Sequence, residues 1–113
     1  MTLILTRNEI AGCHKWASCD RKSPHGYLAD LHRHLFTIEC EFHVSCEDRE
    51  KEIFACEDAI CNFVHANYEA QGNIILFCNR SCEMIAREIC IGVGADSCTV
   101  REDGRGGAKY VRE

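Results

Sequence analysis

The chain has 113 residues, 46% apolar and 27% charged, proportions that indicate one folded domain rather than a disordered tail. Its net charge of −5 argues against a nucleic-acid partner, because proteins that bind phosphate backbones usually carry a basic surface. The longest clean apolar run, residues 74–77, is far shorter than the ~20 residues of a membrane-spanning helix. The N-terminal apolar segment is also too short for a signal peptide. We therefore expect no membrane partner and a cytoplasmic location.

Ten cysteines are spread along the chain, and none forms a C-x-x-C pair. Many fall on apolar faces, as Cys40 does between Ile38 and Phe42, where a free cysteine behaves as a small buried hydrophobe. Most are therefore predicted to be reduced core residues. A disulfide framework and a Cys/His zinc module remain alternatives at this point.

The first half of the chain predicts two strands joined by a loop. Residues 2–14 are typical of a strand with an irregularity at Gly12, and residues 17–30 form a polar loop that holds the only proline. Residues 31–44 alternate between apolar and polar side chains. This period of two predicts a strand with one buried face.

The second half predicts two helices and a hairpin. Ser45 or Asp48 is a candidate cap for a helix over residues 49–66, and residues 79–81 open a second helix that ends near residue 91. The chain closes with strands at residues 97–102 and 108–112 around a glycine-rich turn. The order ββααββ predicts an α+β domain, residues 1–113, with both helices on one face of an antiparallel sheet.

Three histidines form a candidate metal site. His32 and His34 lie two residues apart in a strand, so their side chains point to the same face. His14 ends the preceding strand and would come beside them if the two strands pair in antiparallel fashion. Three neutral imidazoles with an open position are typical of catalytic zinc, although two strand histidines without a metal would look the same.

Five short segments, taken together and in this order, resemble the 6-pyruvoyl-tetrahydropterin and 6-carboxytetrahydropterin synthase family. Residues 10–14 (IAGCH) are similar to its F-x-A-A-H, residues 31–34 (LHRH) to L-H-G-H, and residues 81–86 (SCEMIA) to T-x-E-x-x-A. Residues 98–102 (CTVRE) resemble V-x-V-x-E, and residues 110–113 (YVRE) resemble Y-x-G-E.

The resemblance implies the tunnelling fold, in which subunits associate through their sheets into a barrel, commonly as trimers or hexamers. It implies a zinc ion on His14, His32 and His34, and a pterin held by Glu102, whose carboxylate accepts two parallel hydrogen bonds. The implied substrate is 7,8-dihydroneopterin triphosphate. The chain's compact length favours the 6-carboxytetrahydropterin synthase branch, on the route to queuosine and other 7-deazaguanines, over 6-pyruvoyl-type activity.

The resemblance also suggests residues for proton transfer. His65 stands at the histidine of the family's L-D-H motif, with Val64 in place of the aspartate. The family's cysteine base has no counterpart just before His32, and Cys19 is the nearest candidate. Two rival functions remain: an oligomeric pterin- or purine-binding protein without catalysis, and a structural Cys/His metal module.

Overall fold

Two long strands pair along their whole length at the centre of the sheet. In the computed structural model, which describes residues 1–113, β1 spans Thr2–His14 and β2 spans His32–Val44. They are antiparallel, from Thr2 opposite Val44 to His14 opposite His32. Both strands agree with the predicted segments, because alternation of apolar and polar side chains is a strong local signal.

Four shorter strands complete a mixed sheet. They are β3 (Glu69–Gln71), β4 (Ile74–Cys78), β5 (Ser97–Glu102) and β6 (Gly107–Val111), and the strand order is β3-β4-β1-β2-β5-β6. The α+β class and the C-terminal hairpin are confirmed. The predicted ββααββ order is incomplete, since it lacks the hairpin of β3 and β4 between the two helices. The prediction of an entirely antiparallel sheet is wrong, since β4 runs parallel to β1. The apolar run in β4 has no alternation because the strand is largely buried.

The first helix, α1 (Ile53–Asn67), begins later than predicted. Glu52 caps it, because its carboxylate accepts hydrogen bonds from the backbone N–H groups of Phe54 and Ala55. The preceding acidic residues form a turn instead of a helix. In that turn the Glu50 carboxylate accepts from two upstream backbone N–H groups, and Arg49 has a left-handed φ of 57°.

The second helix, α2 (Cys82–Val93), begins where the sequence predicts. The Ser81 hydroxyl accepts a hydrogen bond from the backbone N–H of Met84, which is a standard N-cap. The helix ends at Gly94, whose φ of 72° is the left-handed conformation that terminates many helices. Helix α2 therefore ends at Val93, about half a turn beyond the predicted end near residue 91.

Both helices pack on one face of the sheet, as predicted, and enclose a single core. It contains 17 buried residues, including Phe36 and Ile38 from β2, Ile60 from α1 and Ile85 from α2. All ten cysteines are free, and five of them are buried. No helix of the chain is both long and apolar enough to cross a membrane.

Candidate metal centre and cleft

The antiparallel register of β1 and β2 brings three histidine rings together at one end of the core. His14 lies directly opposite His32, and Gly12 lies opposite His34. The ring centroid of His14 is 4.5 Å from that of His32 and 5.3 Å from that of His34, and the other two are 5.0 Å apart. The structure thus brings the three predicted metal ligands into one cluster.

Each ring is oriented by an acceptor at its Nδ1 atom. The Nδ1 of His14 lies 2.9 Å from the carbonyl oxygen of Arg80, and that of His32 lies 2.8 Å from the carbonyl oxygen of Asp30. The Nδ1 of His34 lies 2.8 Å from a carboxylate oxygen of Asp103. A carbonyl or carboxylate oxygen can only accept, so each neutral ring carries its proton on Nδ1 and leaves a lone pair on Nε2.

The three Nε2 atoms are buried and have no hydrogen-bond partner. Together with one carboxylate oxygen of Glu102 they lie within 4.8 Å of one another. Buried polar atoms without a partner are rare in folded proteins, because each one loses its hydration without compensation. Burial also lowers the pKa of His14, which keeps its imidazole neutral. The donor set therefore fits a divalent metal ion, which would supply the missing partner.

Glu102 enters this cluster from β5, on the far side of β2. Its Oε2 lies 2.7 Å from Nε2 of His14 and 3.5 Å from Nε2 of His34. The shorter contact is not a hydrogen bond, because the proton of the neutral His14 ring lies on Nδ1 and Nε2 has no hydrogen-bond partner. Two electron-rich atoms at this distance repel unless a cation, either a proton or a metal ion, lies with them. A cation bound between these atoms would remove that repulsion, so the Glu102 contact also fits a cation site.

Cys82, at the start of α2, lines the same cleft as Glu102. Burial first, and then the negative charge of Glu102, raise the pKa of Cys82 to about 12. The thiol therefore stays protonated at neutral pH. It therefore does not act as a thiolate in the cleft.

Aromatic packing forms the floor under the histidines. The Phe36 ring meets the rings of His14 and His34 edge-on, with centroids 5.1 and 5.7 Å away, and it packs in turn against Phe77. Gly12 makes room for this arrangement, because a Cβ atom there would come within 2.8 Å of the Phe77 ring.

The loop after β4 supplies the carbonyl that holds His14, and side chains around it fix that loop. The Arg80 guanidinium forms an ion pair with Glu88 and lies over the Tyr68 ring at 4.9 Å. The Tyr68 hydroxyl donates to the same Glu88 carboxylate. This network anchors the backbone of residue 80 and, through it, the orientation of His14.

The histidine cluster opens into a cleft of about 870 Å³, which is large enough for an organic ligand of a few hundred daltons. Its wall combines aromatic side chains, Trp16 and Tyr27, with the cations Lys15, Arg80 and Arg105. Glu102 also lines the cleft, and about a third of its side chain is exposed.

The two residues predicted for proton transfer lie outside this cleft. Cys19 is buried in the loop after β1, where its thiol faces the carbonyl oxygens of Asp20 and His25. His65 is exposed near the end of α1. Neither is among the residues that line the cleft of their own chain, and their catalytic roles stay predictions.

Three groups that hold the histidine rings could not be identified from the sequence. Two of them are backbone carbonyls, which leave no trace in a sequence. The third, the Asp103 carboxylate, follows Glu102 in the hairpin turn. The only indication of its role in the sequence was its position as an acidic residue next to the candidate site residue Glu102.

Comparisons with known proteins support the fold. No protein-family model matches the sequence, and no curated protein matches it. Among solved structures, the 6-pyruvoyl tetrahydropterin synthase of Caenorhabditis elegans is similar, with a TM-score of 0.69 and 9% sequence identity. The match covers 99% of this chain and 96% of that one. The chain therefore has the fold of that synthase, which confirms the predicted tunnelling fold.

Proposed function

We propose that the protein is a zinc-dependent enzyme that acts on 7,8-dihydroneopterin triphosphate, in the manner of a 6-carboxytetrahydropterin synthase. Activity of the 6-pyruvoyl-tetrahydropterin synthase type is the alternative reaction on the same substrate. The observation that carries the proposal is the set of three buried, unpartnered Nε2 atoms at the inner end of a ligand-sized cleft. The expected setting is cytoplasmic synthesis of 7-deazaguanines such as queuosine.

His14, His32 and His34 would hold the zinc ion through their Nε2 atoms. Imidazole nitrogen is a preferred zinc ligand, and no cysteine belongs to the cluster, which argues against a structural Cys/His metal module. When bound, zinc would act as a Lewis acid that polarises and acidifies the oxygen groups of a substrate side chain. The chain's own contribution is to fix the three rings and to exclude water from their inner side.

Glu102 is proposed to anchor the pterin ring. A carboxylate can accept two parallel hydrogen bonds from the ring N–H and amino groups, which is a selective, charge-assisted arrangement. Its position in the cleft, next to the histidines, supports this role because it would set the ring beside the metal. A role as a fourth metal ligand is the competing assignment, and the two roles predict different effects of substitution.

Two cations of the cleft suit the triphosphate. Lys15 and Arg105 line the cleft, and neither forms an ion pair within the chain. By contrast, Arg21, Lys109 and Arg112 are paired with carboxylates elsewhere on the surface. Unpaired cations are the better candidates, because they keep their donors free for phosphate oxygens.

Proton transfer is assigned to His65 and, secondarily, to Cys19. Since His65 is exposed and lies outside its own cleft, it could serve only a cleft to which another subunit brings it. We propose a homo-oligomer, a trimer or hexamer. Strands β3 and β6 are the uncovered edges of the sheet, and association through them would satisfy their free backbone groups.

A binding protein without catalysis is the second candidate function. The observation in its favour is that the cleft of the single chain contains no reactive thiolate, since its only cysteine, Cys82, is held protonated. Such a protein would bind a pterin or purine through Glu102.

Native mass spectrometry and ligand titration test the proposal together. The expected result is a trimer or hexamer with one zinc ion per chain, which binds and converts 7,8-dihydroneopterin triphosphate. Binding without turnover would favour the second function. A metal-free monomer without pterin affinity would overturn both.

A further inference from the structure

We propose that Asp103 is a positioning residue that orients His34 as a metal ligand. This inference rests on the proposed metal site and adds a residue to it. The Oδ2 atom of Asp103 lies 2.8 Å from Nδ1 of His34, on the side of the ring away from Nε2. A carboxylate there accepts a hydrogen bond from Nδ1–H, which fixes the tautomer with a free Nε2 lone pair and makes that nitrogen a stronger electron-pair donor to a metal.

The backbone holds Asp103 firmly against β2. Its N–H donates to the carbonyl oxygen of Leu35 at 2.8 Å, and its Oδ1 accepts from the N–H of Leu35 at 2.9 Å. The residue adopts a φ of 56°, the left-handed region that few side chains other than Asn and Asp enter readily. Both carboxylate oxygens are thus engaged, one with the strand and one with the ring.

His34 has more need of such support than His14. Its side chain is 20% exposed, compared with 9% for His14, so less packing restrains the His34 ring. His14 and His32 are held by neutral carbonyl oxygens, whereas His34 has a charged acceptor. Charge-assisted hydrogen bonds are roughly twice as strong as neutral ones, which suits a ring that is more exposed than that of His14.

Two substitutions separate this role from a structural one. Asp103→Asn keeps the left-handed turn, but its single oxygen can serve either Leu35 or His34, so one N–H donor faces an amide donor. Asp103→Gly also tolerates the turn and removes both acceptors. The second variant is needed because the Asn amide can turn its oxygen toward His34.

Asp96 provides a matched control at the other end of β5. Its N–H also donates to a β2 carbonyl oxygen, that of Glu41, and its carboxylate also accepts a β2 N–H, that of His43. It has no contact with the metal cluster. Asp96→Asn therefore removes the same kind of charge, and Asp96→Gly also removes the side-chain acceptor of the β2 N–H, without affecting a candidate ligand.

The experiment measures zinc affinity by competition with a chromophoric chelator, the melting temperature of the metal-free protein, and the His34 tautomer by 15N NMR. We expect Asp103→Gly to bind zinc about 10–100-fold more weakly than wild type. Its metal-free melting temperature should change no more than that of Asp96→Gly. The NMR spectrum should show loss of the single Nδ1–H tautomer of His34.

Unchanged zinc affinity in both Asp103 variants, or an equal loss in the corresponding Asp96 variant, would overturn the inference. A wild-type chain that binds no zinc would instead refute the proposed metal site. In that case the tautomer measurement on the metal-free protein still decides the role of Asp103, because retention of the Nδ1–H form in Asp103→Gly would show that the carboxylate does not orient the ring.

Discussion

His14 and Glu102 meet at 2.7 Å although they belong to β1 and β5, which are separated by β2. The contact exists because both side chains lie on the core face of the sheet, where the registers of two strand pairs converge. His34 on the intervening strand completes the group, with its Nε2 3.5 Å from the same carboxylate oxygen. The candidate site is therefore built across three adjacent strands.

Glu102→Gln should separate pterin anchoring from metal ligation. If Glu102 anchors the pterin, the variant keeps its zinc and loses at least about tenfold in pterin affinity, because a charge-assisted hydrogen bond is worth ~1.5–3 kcal/mol. Metal content by mass spectrometry and pterin titration measure the two effects. Glu39→Gln is the control, since Glu39 pairs with Arg101 outside the cleft. Loss of zinc from Glu102→Gln would assign the carboxylate to the metal instead.

His32→Ala should abolish stoichiometric zinc binding while the fold persists. Removal of one of three ligands is expected to cost more than the 10–100-fold that the loss of a supporting residue costs. The 17-residue core should maintain the native circular dichroism spectrum of the metal-free chain. His43→Ala, an exposed position on the same strand, is the matched control. Unfolding on chelation of the wild-type metal would contradict this prediction and indicate a structural metal module.

His65→Gln should lower turnover without loss of zinc or pterin affinity. A positioned proton-transfer group contributes about 10²–10⁴-fold to rate, so a decrease of this size is expected if His65 is catalytic. Cys19→Ser tests the second candidate in the same assay, and His43→Ala again serves as control. Turnover equal to wild type in both variants would remove them from the mechanism and leave the base to a residue of the cleft.

Cys82 should react slowly with iodoacetamide at pH 8. Its pKa of about 12 leaves only a trace of thiolate at that pH, and the side chain is 8% exposed. Peptide mapping of the native protein should show earlier labelling of the exposed Cys46 and Cys78. Unfolded protein, in which all ten cysteines should react, provides the reference. Rapid alkylation of Cys82 in the native protein would show a thiolate in the cleft.

The strands β1 and β2 and the histidine cluster could be predicted because they depend on local patterns. Alternation sets which side chains of a strand share a face, and a single antiparallel pairing then brings His14 beside His32. The N-cap of α2 at Ser81 is similarly local, since one hydroxyl accepts a nearby N–H. Glu102 was predicted as a site residue only because residues 98–102 resemble the V-x-V-x-E motif of the synthase family.

The β3–β4 hairpin and the start of α1 could not be predicted with the same reasoning. β4 pairs with β1 in parallel, over a long separation in sequence, and its four-residue apolar run fits a helix or a strand equally well. The start of α1 depended on competition among neighbouring acids, in which Glu52 caps the helix while Glu50 binds an upstream turn.

Residue type and spacing were enough to name three candidate metal ligands, because imidazole chemistry and the two-residue period of a strand do not depend on the rest of the fold. The groups that orient those three histidines could not be predicted from the sequence. Two are carbonyl oxygens of Asp30 and Arg80, and the third is a carboxylate that meets His34 only when β5 pairs with β2. Long-range strand pairing also sets the cleft and leaves His65 outside it, since the relative placement of α1 and the site depends on packing and not on local sequence.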